Sequence, residues 1–418
     1  MVSMVRLVLA AVAALFLPDM AAPEPRTAQP SPALASRRWR QCVADGGFTA
    51  KGHWMPSQNS TPGAPPDRSG ACASVKHWAW QPAEEACMFR PLSARAFFEA
   101  AGAAGFQRLL LVGDSLMRQF YNDLDKLRDA RKRDIYHKKR LRPAMWSEED
   151  QARASALAEG LLSTTLLFES FMGEHKPRHM ARRPAVRGEA APTAYDNGTS
   201  AVTARVAKAI NRTKPDLLVI NFGAHYNHLF DRSTVREVYR NHSVRRAEAV
   251  RRAVGSLEAP PLVLWRSTGM AHPGCGNAPP RPMTENEDPR ESGSWAAFNN
   301  SIEVTAFNWD LFVEYNSDAA DIWRSAFVGY PRFAIMDTAE LTRLRRDLHL
   351  DPKTREAALI QMADPESHSH YRDDCLHYNR PPCGRDLDAS SKKEPTEMGL
   401  WWASLLYNII DSAALVTT

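Results

Sequence analysis

A chain of 418 residues, 44% hydrophobic and 24% charged, is long enough to bury a large core, as one large domain or as one domain with an appendage. Its net charge of +5 is small for that length, and arginine-rich patches such as 128–142 carry neither interleaved aromatics nor a nucleic-acid motif. A nucleic-acid partner is therefore not expected.

Residues 1–22 set Arg6 ahead of an apolar run, 7–17. That run has the length of a signal-peptide core and falls short of the roughly 20 residues a membrane span needs. Small residues at 20–22 suit cleavage, so the segment reads as a signal peptide or as a retained signal anchor at the membrane. No other stretch is apolar enough to span. Residues 23–38, rich in Pro, Ala, Ser and Arg without periodicity, read as a disordered stem. From 39 to 92 the chain carries Cys42, Cys72 and Cys87 with Trp39, Trp54, Trp78 and Trp80 among turn residues. Such a stretch is a small disulfide-stapled N-terminal segment that packs onto the main domain. With Cys275, Cys375 and Cys383 the cysteines form an even set suited to three disulfides, for which 15 pairings exist. None belongs to a C-x-x-C pair, so no metal site is expected of them. Sequons at Asn59, Asn197, Asn211, Asn241 and Asn299 fit the same oxidising, secretory route.

Residues 93–412 read as the main domain. A short helix at 93–101 precedes strands at 108–112, 165–168, 216–221, 262–266 and 332–336. Helices are predicted at 116–128, 201–211, 235–257, 304–314 and 398–410. Strand and helix in alternation imply an α/β domain, a doubly wound parallel sheet covered by helices on both faces. The basic, poorly patterned region 129–194 is expected to hold loops and inserted helices.

The chemistry gathers at two stretches. Residues 108–124 read R-L-L-L-V-G-D-S-L-M-R-Q-F-Y-N-D-L, a buried strand, a tight turn at Gly113, and a helix marked by Leu116, Phe120 and Leu124. Ser115 then stands at a strand-to-helix corner on the carboxyl edge of the sheet, with Asp114 beside it in the turn, a setting that suits a nucleophile. A plain turn with Ser115 as the helix N-cap is the alternative. Residues 367–383 read S-H-S-H-Y-R-D-D-C-L-H-Y-N-R-P-P-C. Asp374 and His377 are three apart, so one helical turn points both the same way and the carboxylate orients the imidazole that would take a proton from Ser115. His368, His370, Asp373, Asp374 and His377 also cluster as a metal site would. The match to Ser115 explains His377 without metal, and no metal is assigned.

Gly-Asp-Ser early and Asp-x-x-His late resemble the SGNH (GDSL-like) hydrolase superfamily. The segments G-H-W-M, W-A-W-Q-P, G-D-S-L-M-R-Q, D-L-L-V-I-N-F-G-A-H-Y and D-C-L-H, followed by a helix with Trp401 and Trp402, resemble its PC-esterase and trichome birefringence-like polysaccharide O-acetyltransferases. The likeness runs from about 39 to 410. It implies an SGNH-like three-layer sandwich with Ser115 as nucleophile, His377 as general base and then acid, and Asp374 as orienter. For the oxyanion and the substrate it implies the nucleophile's own N–H and a backbone donor at Gly223, with Asn221, His225, Asp114, Arg118 and Arg266 as further candidates. His225 is equally readable as a buried polar residue at a strand end, and Arg118 as half of a helix-face salt bridge. Arg266, His272 and Cys275 follow the fourth strand at the same edge. The likeness pairs Cys275 with Cys375, Cys87 with Cys383 and Cys42 with Cys72. It implies O-acetyl transfer in the Golgi lumen or beyond, from a donor such as acetyl-CoA to a polysaccharide or glycan, with no bound cofactor. An esterase with the same triad is the runner-up, and an inactive glycan-binding protein the third reading.

Overall fold

The computed structural model describes residues 42, 52–56, 78–84, 87–90, 92–140, 162–168, 195–226, 232–272, 275, 281–288, 308–349, 376–378 and 395–417. Segments 1–22 and 23–38, Asn59, Asn299, Asp373 and Asp374 lie outside them. The strands are β1 (Gly52–Pro56), β2 (Trp78–Pro82), β3 (Arg108–Gly113), β4 (Ser163–Phe168), β5 (Leu217–Ile220), β6 (Leu262–Arg266) and β7 (Phe333–Met336). The helices are α1 (Ala94–Ala103), α2 (Ser115–Arg140), α3 (Tyr195–Thr213), α4 (Val235–Gly255), α5 (Phe312–Ala326), α6 (Ala339–Arg343) and α7 (Glu397–Thr417).

Five strands form one parallel sheet in the order β4-β3-β5-β6-β7. Central strands buried on both faces need apolar side chains throughout, and Leu109–Val112, Leu217–Ile220 and Leu262–Trp265 supply them. The helices pack in two groups, α3 with α4 and α4 with α5, and α7 with α1 and α2. Connections that run from β3 to β4 in one direction and from β5 through β7 in the other require that division when every crossover is right-handed. The chain therefore reverses direction between β3 and β5. Their carboxyl ends flank the crevice where open α/β sheets bind ligands.

The sequence reading finds these five strands and places five of its six main-domain helices. The helix expected at 304–314 is instead α5, which starts at Phe312. Asn308 adopts a left-handed conformation (φ 53°) ahead of a 3-10 turn at Trp309–Leu311, so the helical period belongs to Phe312, Tyr315, Ala319 and Trp323, all buried.

The hairpin of β1 and β2 pairs Trp54 with Trp80. Trp54 also meets Trp401 of α7 edge-on, ring centroids 5.0 Å apart, and the Arg345 guanidinium lies 4.3 Å from its ring centroid. Arg90 completes the seam through its N–H to Asn408 (2.9 Å) and its ion pair with Asp411 (2.7 Å). The staple, however, is Cys42–Cys87, which excludes the Cys42–Cys72 and Cys87–Cys383 pairs that the family likeness implies. With Cα atoms 5.4 Å apart and both residues buried, the bridge closes the N-terminal segment upon itself. Cys275 is also disulfide-bonded; Cys72, Cys375 and Cys383 lie outside the described residues. No helix among the described residues is long and apolar enough to cross a membrane.

Candidate functional site

The corner at Ser115 is built by its neighbours. Gly113 ends β3 where a Cβ would stand 2.5 Å from the Asn221 carbonyl oxygen, so only glycine lets the ends of β3 and β5 approach this closely. Asp114, not Ser115, caps α2: its Oδ1 accepts from the Leu116 N–H at 3.0 Å. Its Oδ2 accepts from the Ala224 N–H at 3.2 Å, so the same carboxylate latches the turn after β5 to the helix start. The Ser115 hydroxyl, relieved of capping, lies 3.4 Å from His225 Nε2. The backbone N–H groups of Ser115 and Gly223 make no hydrogen bond to any described residue. Both therefore have a donor to offer a developing oxyanion.

His225 is thus a neighbour of Ser115 and not merely a polar residue at a strand end. Burial pushes its pKa below the ordinary 6.5; the Asp114 carboxylate opposes that shift, while His377 and Arg118 reinforce it. His377 accordingly belongs to the same cluster. Its neighbours fix its backbone: the Tyr378 N–H donates to Gln119 Oε1 at 3.2 Å, the Gln119 amide donates to the Tyr378 carbonyl, and the Tyr378 hydroxyl donates to the Met270 carbonyl. His349 Nδ1 donates to the carbonyl of His377 itself, at 3.0 Å.

The remaining candidates divide by placement. Asn221 is fully buried and donates to the Arg266 carbonyl (3.0 Å) and to Thr268 Oγ1 (3.2 Å), so it ties β5 to β6 and its N–H2 group is engaged there. Gly223 packs under Thr268, whose Oγ1 would stand 2.2 Å from an added Cβ. Arg118 is exposed on the first turn of α2. Arg266 departs from the expectation that it meets substrate: it is fully buried, 4.1 Å from the Trp402 ring centroid and 5.6 Å from that of Phe120. Its guanidinium has no hydrogen-bond partner among the described residues, and burial lowers its pKa to about 10. The Asp114 and Tyr378 side chains oppose that lowering. Asp374, His368 and His370 lie outside the described residues, among which no group of three metal-binding side chains occurs. Gln119 and His349 do work that sequence reading did not assign. Gln119 stands four residues beyond Ser115 on the same helix face, which is the one signal available.

The lowered pKa of His225 carries a testable consequence. Between pH 6.5 and its folded value the unfolded chain takes up a proton that the folded chain refuses. This group's contribution to stability is therefore complete above about pH 6.5 and is lost as pH falls through the folded pKa. His225→Gln should flatten that part of the acid dependence. Urea denaturation at pH 7.5 and at pH 5 checks it, and an unchanged difference between the two would contradict the assignment.

No protein-family model and no curated protein matches the chain.

Proposed function

We propose that the chain is an SGNH-type O-acyltransferase, most simply an O-acetyltransferase, that works through an acyl-enzyme on Ser115. The observation that carries this reading is the Ser115 hydroxyl at the β3/β5 crevice, 3.4 Å from an imidazole, with the Ser115 and Gly223 N–H groups making no hydrogen bond to any described residue. In the first half-reaction Ser115 Oγ attacks the carbonyl of an activated donor such as acetyl-CoA. The Oγ–C bond forms, the serine proton passes to an imidazole, and the thiolate departs as the C–S bond breaks, taking that proton. In the second, a glycan hydroxyl gives its proton to the same imidazole and attacks the acyl carbon. Cleavage of the C–Oγ bond then returns a proton to Ser115. The N–H groups of Ser115 and Gly223 hold the negative oxygen of both tetrahedral intermediates, each donor worth roughly 3–4 kcal/mol.

Two imidazoles compete for the role of base. We assign it to His377, with Asp374 as its orienter, because a base must hold the proton as an imidazolium and burial disfavours that form at His225. His225 then serves as a neutral donor toward the reacting oxygens. The 3.4 Å contact favours a second reading in which His225 is itself the base. His377→Gln and His225→Gln separate the two: the base variant abolishes acyl-enzyme formation, whereas loss of a neutral donor slows it on the order of 10²–10³-fold.

Incubating the purified chain with labelled acetyl donor, with and without oligosaccharide, tests the reaction class. Transfer to the sugar supports the proposal, hydrolysis in both arms makes the protein an esterase, and the absence of any acyl-enzyme leaves the glycan-binding reading. For localisation we propose the secretory route, the Golgi lumen or outside the cell. Asn211 and Asn241 support it, because both sequon acceptors are exposed. Expression in a glycosylating host should give a species whose mobility shifts on enzymatic N-glycan removal and shifts less in Asn241→Gln. No shift at all, with every thiol freely reactive, would exclude that route.

A further inference from the structure

Two histidines behind the site have no role in the reaction just described. His272 follows β6 and His349 follows the 3-10 turn Arg346–Leu348; they are 3% and 4% exposed. Their rings form a chain between two backbone carbonyls. His272 Nε2 lies 2.8 Å from the Arg343 carbonyl oxygen, His272 Nδ1 lies 2.8 Å from His349 Nε2, and His349 Nδ1 lies 3.0 Å from the His377 carbonyl oxygen.

Proton counting fixes the charge of this chain. A carbonyl oxygen only accepts, so each outer nitrogen carries a proton. The inner nitrogens, 2.8 Å apart, form a hydrogen bond only when one of them is protonated and the other presents its lone pair. Three protons on two rings is one more than a neutral pair holds. We propose that His272 and His349 share one positive charge at neutral pH and that this singly protonated dyad is the positioning device for His377, the base of the acyl transfer proposed above.

The arrangement tolerates no other protonation state. Removing the third proton sets two lone pairs against each other at 2.8 Å or strips the donor from one carbonyl. Adding a fourth opposes two N–H groups across the same gap. The surrounding charges are disposed accordingly. Arg343 is turned away into Glu285, Asp288 and Glu340. Arg345 and Asp347, four and two residues before His349, form a buried pair. Tyr378, whose ring stacks on His349 with centroids 4.3 Å apart, has its pKa pushed up by burial and stays a neutral phenol. Cys275 is disulfide-bonded and does not titrate. Of the groups in the acyl-transfer site, His377 meets the dyad through its carbonyl, and its side chain acts electrostatically on His225.

The consequence is a window of competence. The His377 side chain must be neutral to act as base, whereas the dyad must retain its proton to hold the His377 backbone. Reactivity should therefore rise with pH as the base deprotonates and fall again as the dyad does. His349→Gln preserves the geometry, since its amide donates to the His377 carbonyl and accepts from His272, and leaves the whole charge on His272. His349→Phe removes the donor altogether.

Two readouts test the proposal on the full chain. The first needs no activity and so stands apart from the acyltransfer reading. In protein labelled with ¹⁵N-histidine at pH 7, a through-hydrogen-bond nitrogen–nitrogen coupling should join two imidazoles whose other two nitrogens are both protonated. A coupled pair with only one outer nitrogen protonated, or no coupled pair, overturns the proposal. The second is the pH dependence of Ser115 labelling by a fluorophosphonate. His349→Phe should slow it about tenfold or more at neutral pH, while His349→Gln stays within about threefold and shifts the alkaline limb. Equal losses in the two variants, or an alkaline limb that neither moves, would mean the pair merely fills space.

Discussion

Ser115→Ala will abolish capture of a fluorophosphonate or of a labelled acetyl group, with a loss of turnover on the order of 10⁶-fold. Its stability should change by no more than about 1 kcal/mol, because the hydroxyl caps nothing and makes one long contact, at 3.4 Å. That contrast follows from Asp114, which takes over the N-cap and leaves the serine oxygen free for chemistry. His377→Ala should be nearly as damaging, and the double variant little worse than either single one, since a nucleophile and its base act as a unit. Asp374→Asn should retain the fold and lose about 10⁴-fold in rate by presenting the wrong imidazole tautomer. Asp373→Asn is the control, because the Asp-x-x-His spacing assigns the orienting role to Asp374 and not to its neighbour. The measurement is acyl-enzyme trapping on folded variants. Labelling that survives Ser115→Ala, or equal losses at Asp373 and Asp374, would end the triad assignment.

The nucleophile corner is legible in the sequence because three local signals agree at 108–124. A short apolar run followed by a turn reads as a buried strand, Gly113 permits the close approach, and Leu116, Phe120 and Leu124 repeat at helical spacing. The carboxyl-edge position of 221–225 is legible for the same reason, since it follows another wholly buried strand. What escapes is whatever long-range pairing decides. The sequence offers Ser115 as the N-cap, but in the fold that role falls to Asp114, whose other carboxylate oxygen accepts from the Ala224 N–H 110 residues away. The start of α5 depends on a left-handed Asn308, which apolar spacing does not report. The Cys42–Cys87 bridge is one of 15 pairings that sequence leaves equivalent. His349 sits in a stretch with no motif, and only the folded chain sets it between His272 and His377.

Gln119 holds the segment that bears His377 from the α2 side. It lies one turn beyond Ser115 on α2, and its amide both accepts from the Tyr378 N–H and donates to the Tyr378 carbonyl, across 259 residues of chain. One helix thereby carries Ser115 and the clamp for the segment that bears His377. Gln119→Leu leaves both backbone groups of a fully buried Tyr378 unpaired, at a cost of about 1–3 kcal/mol each. Gln119→Glu repairs only half of this, since a carboxylate accepts from the N–H but confronts the carbonyl with a second acceptor and buries a charge. Tyr378→Phe should cost less, about 1–2 kcal/mol, because it removes the hydroxyl's bonds to the Met270 carbonyl and to Thr342 but leaves both backbone groups paired. The ring itself stays stacked against His349. Denaturant titration gives the stabilities, and fluorophosphonate labelling of the folded fraction gives the reactivity of Ser115. If the clamp positions the base, Gln119→Leu slows labelling about tenfold or more beyond the effect of its unfolded population, while Tyr378→Phe stays near the parent. A Gln119→Leu protein as stable and as reactive as the parent would show that α2 does not hold the segment around His377, and that the histidine is positioned from its other side alone.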